Sequence, residues 1–542
     1  MTKLHLILIT CFVSLFLTDN FSQVSDTTGV GTTVPTLPGD EVTVIKDFQA
    51  RLAESQRIKI LPALPVFETK ILQYYYDVNV RGLALDYPPL VIKPVAIDPF
   101  EVEKSYLGQF RFAYGYPRFS LADVNLSKQL TKNLKVGLAY EHMAARNKER
   151  IPSRFNRHLG KLHAEYRISD IAQVEAGFRT HYDIRDILNS NLAIETGRIV
   201  REFGGHINVL NPASADSKFD YLLGLNLYNL GISDLERSEN GFGIDLGLSK
   251  RFGSIKAGLD FDYDRIGTNI DSSATLGSLR LQPKVSYNTS TWNVLAGAHF
   301  LFENGQNFVY PELKISRVIL ADKLQVALVA DTDFRVNSYK NTLAFNPYLA
   351  NIDTIRNEKI MNFGAEAKGT AAGWEYGLAA GYRLINSKLN YTLIENLEGD
   401  QNILWNANSV NATSPYLEVY GAYQIIPMLK LSGKILYQDF KNQESEALFG
   451  YYKFRLGTNL QISLLEDKLK IIPGIDIYSN LERDIELDER RFSDLHIDIE
   501  YKVAKRFSLF INADNLLNSK NQRWNNYSAV GIAANGGLKV LL

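Results

Sequence analysis

Leu495, Ile497, Ile499, Tyr501 and Val503 alternate with Asp494, His496, Asp498, Glu500 and Lys502. The same period of two sorts residues 255–264, where Ile255, Ala257, Leu259, Phe261 and Tyr263 oppose Lys256, Asp260, Asp262 and Asp264. It also sorts 325–336: Val326, Leu328, Ala330, Thr332, Phe334 and Val336 share one face, and Gln325, Asp331, Asp333 and Arg335 share the other. A helix would bring Asp260 and Asp264 together and send Asp262 elsewhere, so only extended strands separate the two sets. Such runs, each of roughly ten residues, recur from Lys104 to Leu542, as strands crossing a bilayer would. A half-buried soluble sheet alternates too. Roughly twenty antiparallel strands, however, exceed what open soluble sheets usually hold.

The turns between the runs sort by length. Compact turns fall at 131–133, 168–171, 251–254, 320–323, 370–373, 426–428, 464–467 and 503–506. Longer, more polar connections fall at 145–154, 185–196, 232–240, 338–356, 387–412, 441–451, 483–491 and 518–528. The long connection at 211–217 and the tight one near Gly305 depart from the rule. In outer-membrane barrels short turns face the periplasm and long loops face outward. The expected fold is therefore all-β: a transmembrane antiparallel β-barrel of about 22 strands with both ends periplasmic. A barrel of that size has a lumen too wide for side chains to fill, so something must close it.

Composition adds the compartment. No apolar run after residue 20 is long enough for a spanning helix. The formal net charge of -1 removes the basic excess expected of a nucleic-acid binder. The 29 Tyr and 28 Phe can furnish interfacial girdles. Lys3 followed by the apolar run Leu4–Leu17 predicts a signal peptide over 1–22. The single cysteine, Cys11, lies inside it, so the mature chain has no disulfide and no thiolate metal site. Residues 23–103 form an N-terminal extension, Thr/Gly/Pro-rich at first and then carrying Pro62, Pro65, Pro88, Pro89, Pro94 and Pro99. So many prolines exclude long helices and central strands, and the extension is expected in the periplasm or the lumen. The barrel occupies 104–542.

No catalytic constellation appears. There is no His-Glu-x-x-His, G-x-S-x-G or P-loop. His158 and His163, five apart, fall on opposite faces of a strand and cannot share a metal. The reading is therefore a non-enzyme without cofactor or metal. Glu175, Arg179, Asp260, Asp262, Asp264, Asp331, Asp333 and Arg335 are the candidate polar wall of the lumen, either a solute path or a hydrated lining of cross-strand ion pairs. In the outer loops Tyr391, Trp405, Arg523, Trp524 and Tyr527, set among Asn390, Asn406 and Gln522, are candidate ligand contacts. Trp374 and Tyr451 suit anchoring in lipid headgroups.

The final segment carries a more specific signal. Arg506–Lys520 reads RFSLFINADNLLNSK, followed by Trp524, Tyr527 and a closing strand Ala529–Leu542. Asn515, Leu516, Leu517, Asn518 and Lys520 resemble the end of a TonB-dependent receptor barrel, although the usual terminal aromatic is replaced by Leu541-Leu542. Glu41-Val42-Thr43-Val44-Ile45 resembles the short box that contacts TonB in that family. The resemblance implies a 22-stranded barrel in the outer membrane of a Gram-negative bacterium. It also implies uptake or surface binding of a polar ligand, with a TonB-type energy-coupling protein as partner. It implies a plug domain too, and the Pro-rich extension lacks the plug's length and Gly-rich pattern. A second reading stays open beside it: a non-transporting barrel that scaffolds a multi-protein complex of outer-membrane and periplasmic proteins.

Overall fold

Successive runs of alternating residues pair with their neighbours in sequence until the last meets the first. In the computed structural model the strand Gly108–Tyr116 pairs with both Phe119–Gln129 and the final strand Ala533–Leu541. Twenty-two antiparallel strands thereby close into a barrel, as the alternation and turn lengths require. The circuit of paired strands is thus closed, the condition for spanning lipid with strands. The structure describes residues 107–542 except 147–153, 189–193, 212–218, 270–274, 322, 395–402, 482–491, 520, 525–526 and 529–530. The signal peptide, the Pro-rich extension and Glu41–Ile45 lie outside the described residues.

Register assigns each face. Leu138, Leu162, Phe178, Gly205, Leu227 and Phe242 are successive cross-strand partners, and Leu162, Phe178 and Leu227 are exposed large apolar side chains. That row faces lipid. One residue along, Gly137, His163, Gly177, His206, Asn226 and Gly243 form the inward row. His163 lies over Gly137, where an added Cβ would meet its ring, and His206 lies over Gly177 in the same way. The missing side chain leaves room for the imidazole of the next strand. His158 and His163 fall on opposite faces, as their spacing requires.

The short-turn end matches its expectation. Gly253 and Gly373 turn the chain with φ of 60° and 83°, and Leu465, Glu466 and Asp467 all take positive φ. Trp374 stacks on Tyr423 at 4.3 Å and is exposed there, as a headgroup-level anchor would be.

The long-loop end departs from it. The connection expected over 387–412 is mostly strand, because Trp374–Leu393 and Trp405–Ile426 pair as far as Leu393 and Trp405. Strict alternation along Leu324–Val336 also fails near its end. Thr332 is buried, and Phe334 packs edge-on to His299 and Tyr310 instead of facing lipid. The ladder with Gln306–Leu320 ends at Leu313 opposite Ala330, and beyond it Phe334 turns to strand residues of the inward face, with Arg280 over its ring at 5.0 Å, so period two no longer sorts water from lipid.

Candidate functional site

Twenty residues, 337–356, connect the strands Leu324–Val336 and Asn357–Ala371. They form no outward loop. Ser338 caps a short helix, Tyr339–Phe345, its side chain accepting from the Asn341 N–H. The strand Leu349–Ile352 then lies parallel to Trp405–Ile426, with Leu349 opposite Trp405.

One apolar cluster shows where this segment goes. Tyr339, Leu343, Phe345, Leu349, Ile352 and Ile355 pack with Leu188, Leu230, Ile232, Ile266 and Leu276 from strands on one side of the barrel. From the other side come Leu389, Tyr391, Trp405, Phe449, Trp524 and Tyr527. Residues of the fifth to the tenth strands thus meet residues of the last loops in a single core. That core crosses the mouth of the barrel as a lid built from its own loops. Aromatic contacts dominate it: Trp405 lies 4.9 Å from Phe449 and 5.3 Å from Trp524, and Tyr348 stacks on Tyr527 at 3.4 Å. Each such pair contributes about 0.5–1.5 kcal/mol beyond area burial.

Polar clamps hold the lid to the wall. Arg198, 1% exposed, donates through Nε and Nη2 to the Asp234 carboxylate at 2.7–2.9 Å. Its Nη1 donates to the carbonyls of Pro347 at 2.8 Å and Leu349 at 2.7 Å. Arg237 donates to Tyr339 Oη, to the Ala350 carbonyl and to Asn351 Oδ1. The Glu239 carboxylate accepts the N–H groups of Tyr339 at 2.7 Å and Lys340 at 3.1 Å, and the Tyr228 hydroxyl at 3.0 Å. Across the mouth, Tyr527 Oη donates to the Ile403 carbonyl at 2.8 Å and accepts from the Leu188 N–H at 3.2 Å. Under the neighbouring loop, buried Lys388 pairs with Glu358 at 2.9 Å.

The residues expected to touch a ligand lie in this core. Tyr391, Trp405, Trp524 and Tyr527 are all buried, and Arg523 lies flat over the Phe345 ring at 3.9 Å. In the closed lid these five meet one another and the helix rather than the exterior. Tyr451, expected as a lipid anchor, is part of the same assembly: its hydroxyl donates to the Leu389 carbonyl at 2.8 Å. Aromatic richness marked these residues as special, but the pattern could not say that they would meet. Trp405 Nε1 and Trp524 Nε1 have no hydrogen-bond acceptor among the described residues, and a buried donor left so costs about 1–3 kcal/mol.

The expected polar wall is an ion-paired lining. Asp260 pairs with Lys284, and Asp262 with its cross-strand partner Arg280 at 2.6 Å. Arg179 pairs with Glu202 at 2.8 Å, Asp333 with Arg335 at 3.1 Å, Asp331 accepts from Asn362 at 3.0 Å, and Glu175 accepts from Gln173 at 2.9 Å. Asp264 lies on the same inward face, opposite Gly243 and Ser278. Among the described residues no three His, Cys, Asp or Glu side chains converge as a metal site requires.

No protein-family model matches this chain, and no curated protein matches it. Solved structures with the same fold do. The FrpB iron transporter from Neisseria meningitidis is 9% identical, with a TM-score of 0.62 over 81% of this chain and 82% of that one. A ferric enterobactin receptor from Pseudomonas aeruginosa is 11% identical, with a TM-score of 0.61 over 80% of each chain. The copper transporter OprC is 11% identical, with a TM-score of 0.60 over 80% of each chain. The fold is thus that of the TonB-dependent receptor barrel, an outer-membrane architecture.

Proposed function

We propose that this chain is a gated outer-membrane receptor or transport barrel, which admits or binds a polar ligand when its lid of loops opens. The observation that carries the reading is the lid itself. A lumen this wide conducts solute unless closed, and here residues 337–356 and the last loops close the mouth with a packed core. The clamps suit a device that opens as a unit, because they are polar, few and concentrated on Arg198, Arg237 and Glu239. The unaccepted indole N–H groups of Trp405 and Trp524 support a role for the outer-loop aromatics once the lid opens. Stacking rings beside free donors suit a ligand with both apolar faces and acceptors. The ion-paired lumen wall supports passage of a polar rather than an apolar solute. The shared fold of receptors and transporters agrees with this reading. In it, the extension 23–103 lies in the periplasm or lumen, and Glu41–Ile45 engages an energy-coupling protein.

Planar-bilayer conductance tests the reading. The full chain is expected to stay closed. Replacing 338–355 by a short Gly-Ser bridge, combined with deletion of 23–103, is expected to give large stable pores. Each single deletion then reports which element closes the lumen. A double deletion that folds as a barrel and still does not conduct overturns the gated reading. That outcome would favour a barrel that carries partner proteins and passes nothing, which co-purification of stoichiometric companions would then identify.

A further inference from the structure

The outer wall carries a feature that the lid and lumen do not use. An apolar groove of about 590 Å³ is cut into the lipid-facing surface between Phe178, Phe203, Leu227 and Phe242. Its floor is low because Gly205 stands where the neighbouring strands place Phe178 and Leu227. A second groove of about 890 Å³ shares Phe178, Gly205 and Leu227 and continues toward the short-turn end. Together they make one channel along the wall, wide enough for acyl chains.

The end of the channel nearer the long loops changes character abruptly. The row that pairs Phe203 with Asn229 continues to Asn240, and Asn229 donates to Asn240 across the strands at 2.8 Å. Arg265 lines the groove as the cross-strand partner of Phe242. Arg201, two residues before Phe203 on the same face, lies over the Tyr182 ring at 5.8 Å. Both arginines are exposed, and neither forms an ion pair among the described residues. The outward positions of the strands from Arg154 to Thr268 hold one carboxylate whose side chain is described, Asp186, and it is bonded to Arg154 at 3.0 Å. On the inward face, by contrast, Arg179, Arg280 and Lys284 each meet a carboxylate.

An unmatched guanidinium at the edge of an apolar belt is poorly placed unless an anion meets it. Bulk acyl chains would fill the channel without needing Arg201 or Arg265. We propose that this face is a binding site for an anionic, phosphate-bearing lipid of the leaflet on the long-loop side. Its acyl chains lie in the channel over Gly205, and its phosphate is held by Arg265 and Arg201 with the Asn229–Asn240 pair.

The test uses the full chain in nanodiscs mixing phosphatidylglycerol and phosphatidylcholine, followed by native mass spectrometry of retained lipid. Wild type is expected to keep phosphatidylglycerol at least tenfold over phosphatidylcholine. Arg201→Glu with Arg265→Glu is expected to abolish the preference while leaving total retained lipid similar. Gly205→Leu fills the channel; a Cβ there meets only the Gly177 carbonyl, at 3.4 Å, so the strand accommodates it. That variant is expected to lose retention of both lipids, with the barrel intact by heat-modifiable gel mobility. Equal retention of the two lipids by wild type overturns the proposal. So does an unchanged preference in the double-arginine variant, or a wall occupied by a co-purifying protein instead of lipid.

Discussion

Arg198→Ala should release the lid without unfolding the barrel. Arg198 belongs to the strand Ile194–Leu210, whose ladder bonds to its neighbours are made by the backbone and survive the substitution. Lost are a two-pronged pair with Asp234 and the only side-chain donors to the carbonyls of Pro347 and Leu349 among the described residues. Asp234 would remain buried without its cation. Breaking a buried pair from one side costs about 3–5 kcal/mol. At about 1.4 kcal/mol per factor of ten, the open lid should become roughly a hundred- to several-thousand-fold more populated. Ala350→Cys in a chain also carrying Cys11→Ser reads this directly. Ala350 is buried against Ile187 and Leu404, so maleimide reaches a cysteine there only when the lid opens. The labelling rate should rise by that factor in Arg198→Ala, while heat-modifiable mobility stays as in the parent. Arg198→Met with Asp234→Leu should restore most of the protection, because no charge is left stranded. A rate in Arg198→Ala within about fivefold of the parent, far below the shift that 3–5 kcal/mol implies, would refute the clamp.

The remaining predictions concern the Glu239 clamp, the aromatic core and the wall. Glu239→Ala leaves the N–H groups of Tyr339 and Lys340 without their acceptor, at about 1–3 kcal/mol for a buried donor so left, and should speed Ala350→Cys labelling while heat-modifiable mobility stays as in the parent. Trp405→Ala should destabilise the lid by about 3–5 kcal/mol, seen as faster labelling at the same cysteine with no loss of strand signal in far-ultraviolet circular dichroism. Gly137→Val should push the exposed His163 ring aside and leave heat-modifiable mobility as in the parent, because a side chain and not backbone fills that space.

Much of the architecture was legible because it is periodic and local. Every second residue meets lipid, so the alternation marked the strands, the turn lengths marked the two ends, and the even count marked a closed barrel. The Asn515–Asn518 stretch, which carries the resemblance, turns the chain out of a strand; both asparagines take positive φ and Asn518 N–H bonds to the Asn515 carbonyl. The lid was not legible, because nothing local distinguishes a loop aromatic that meets a ligand from one that meets another loop. Tyr527 reaches Leu188 across 339 residues, and Arg198 reaches Leu349 across 151. Period two likewise put Phe334 on one face with Leu328, and failed where the ladder to the preceding strand ends and Phe334 turns to His299 and Tyr310. The sequence by itself thus determined a membrane barrel and its run of strands, since these follow from one residue's alternation with the next. Only the tertiary structure decided that distant loops meet in one core, which charges neutralise which, and that two arginines of the outer wall carry no ion pair among the described residues. Those facts depend on which distant segments share a space.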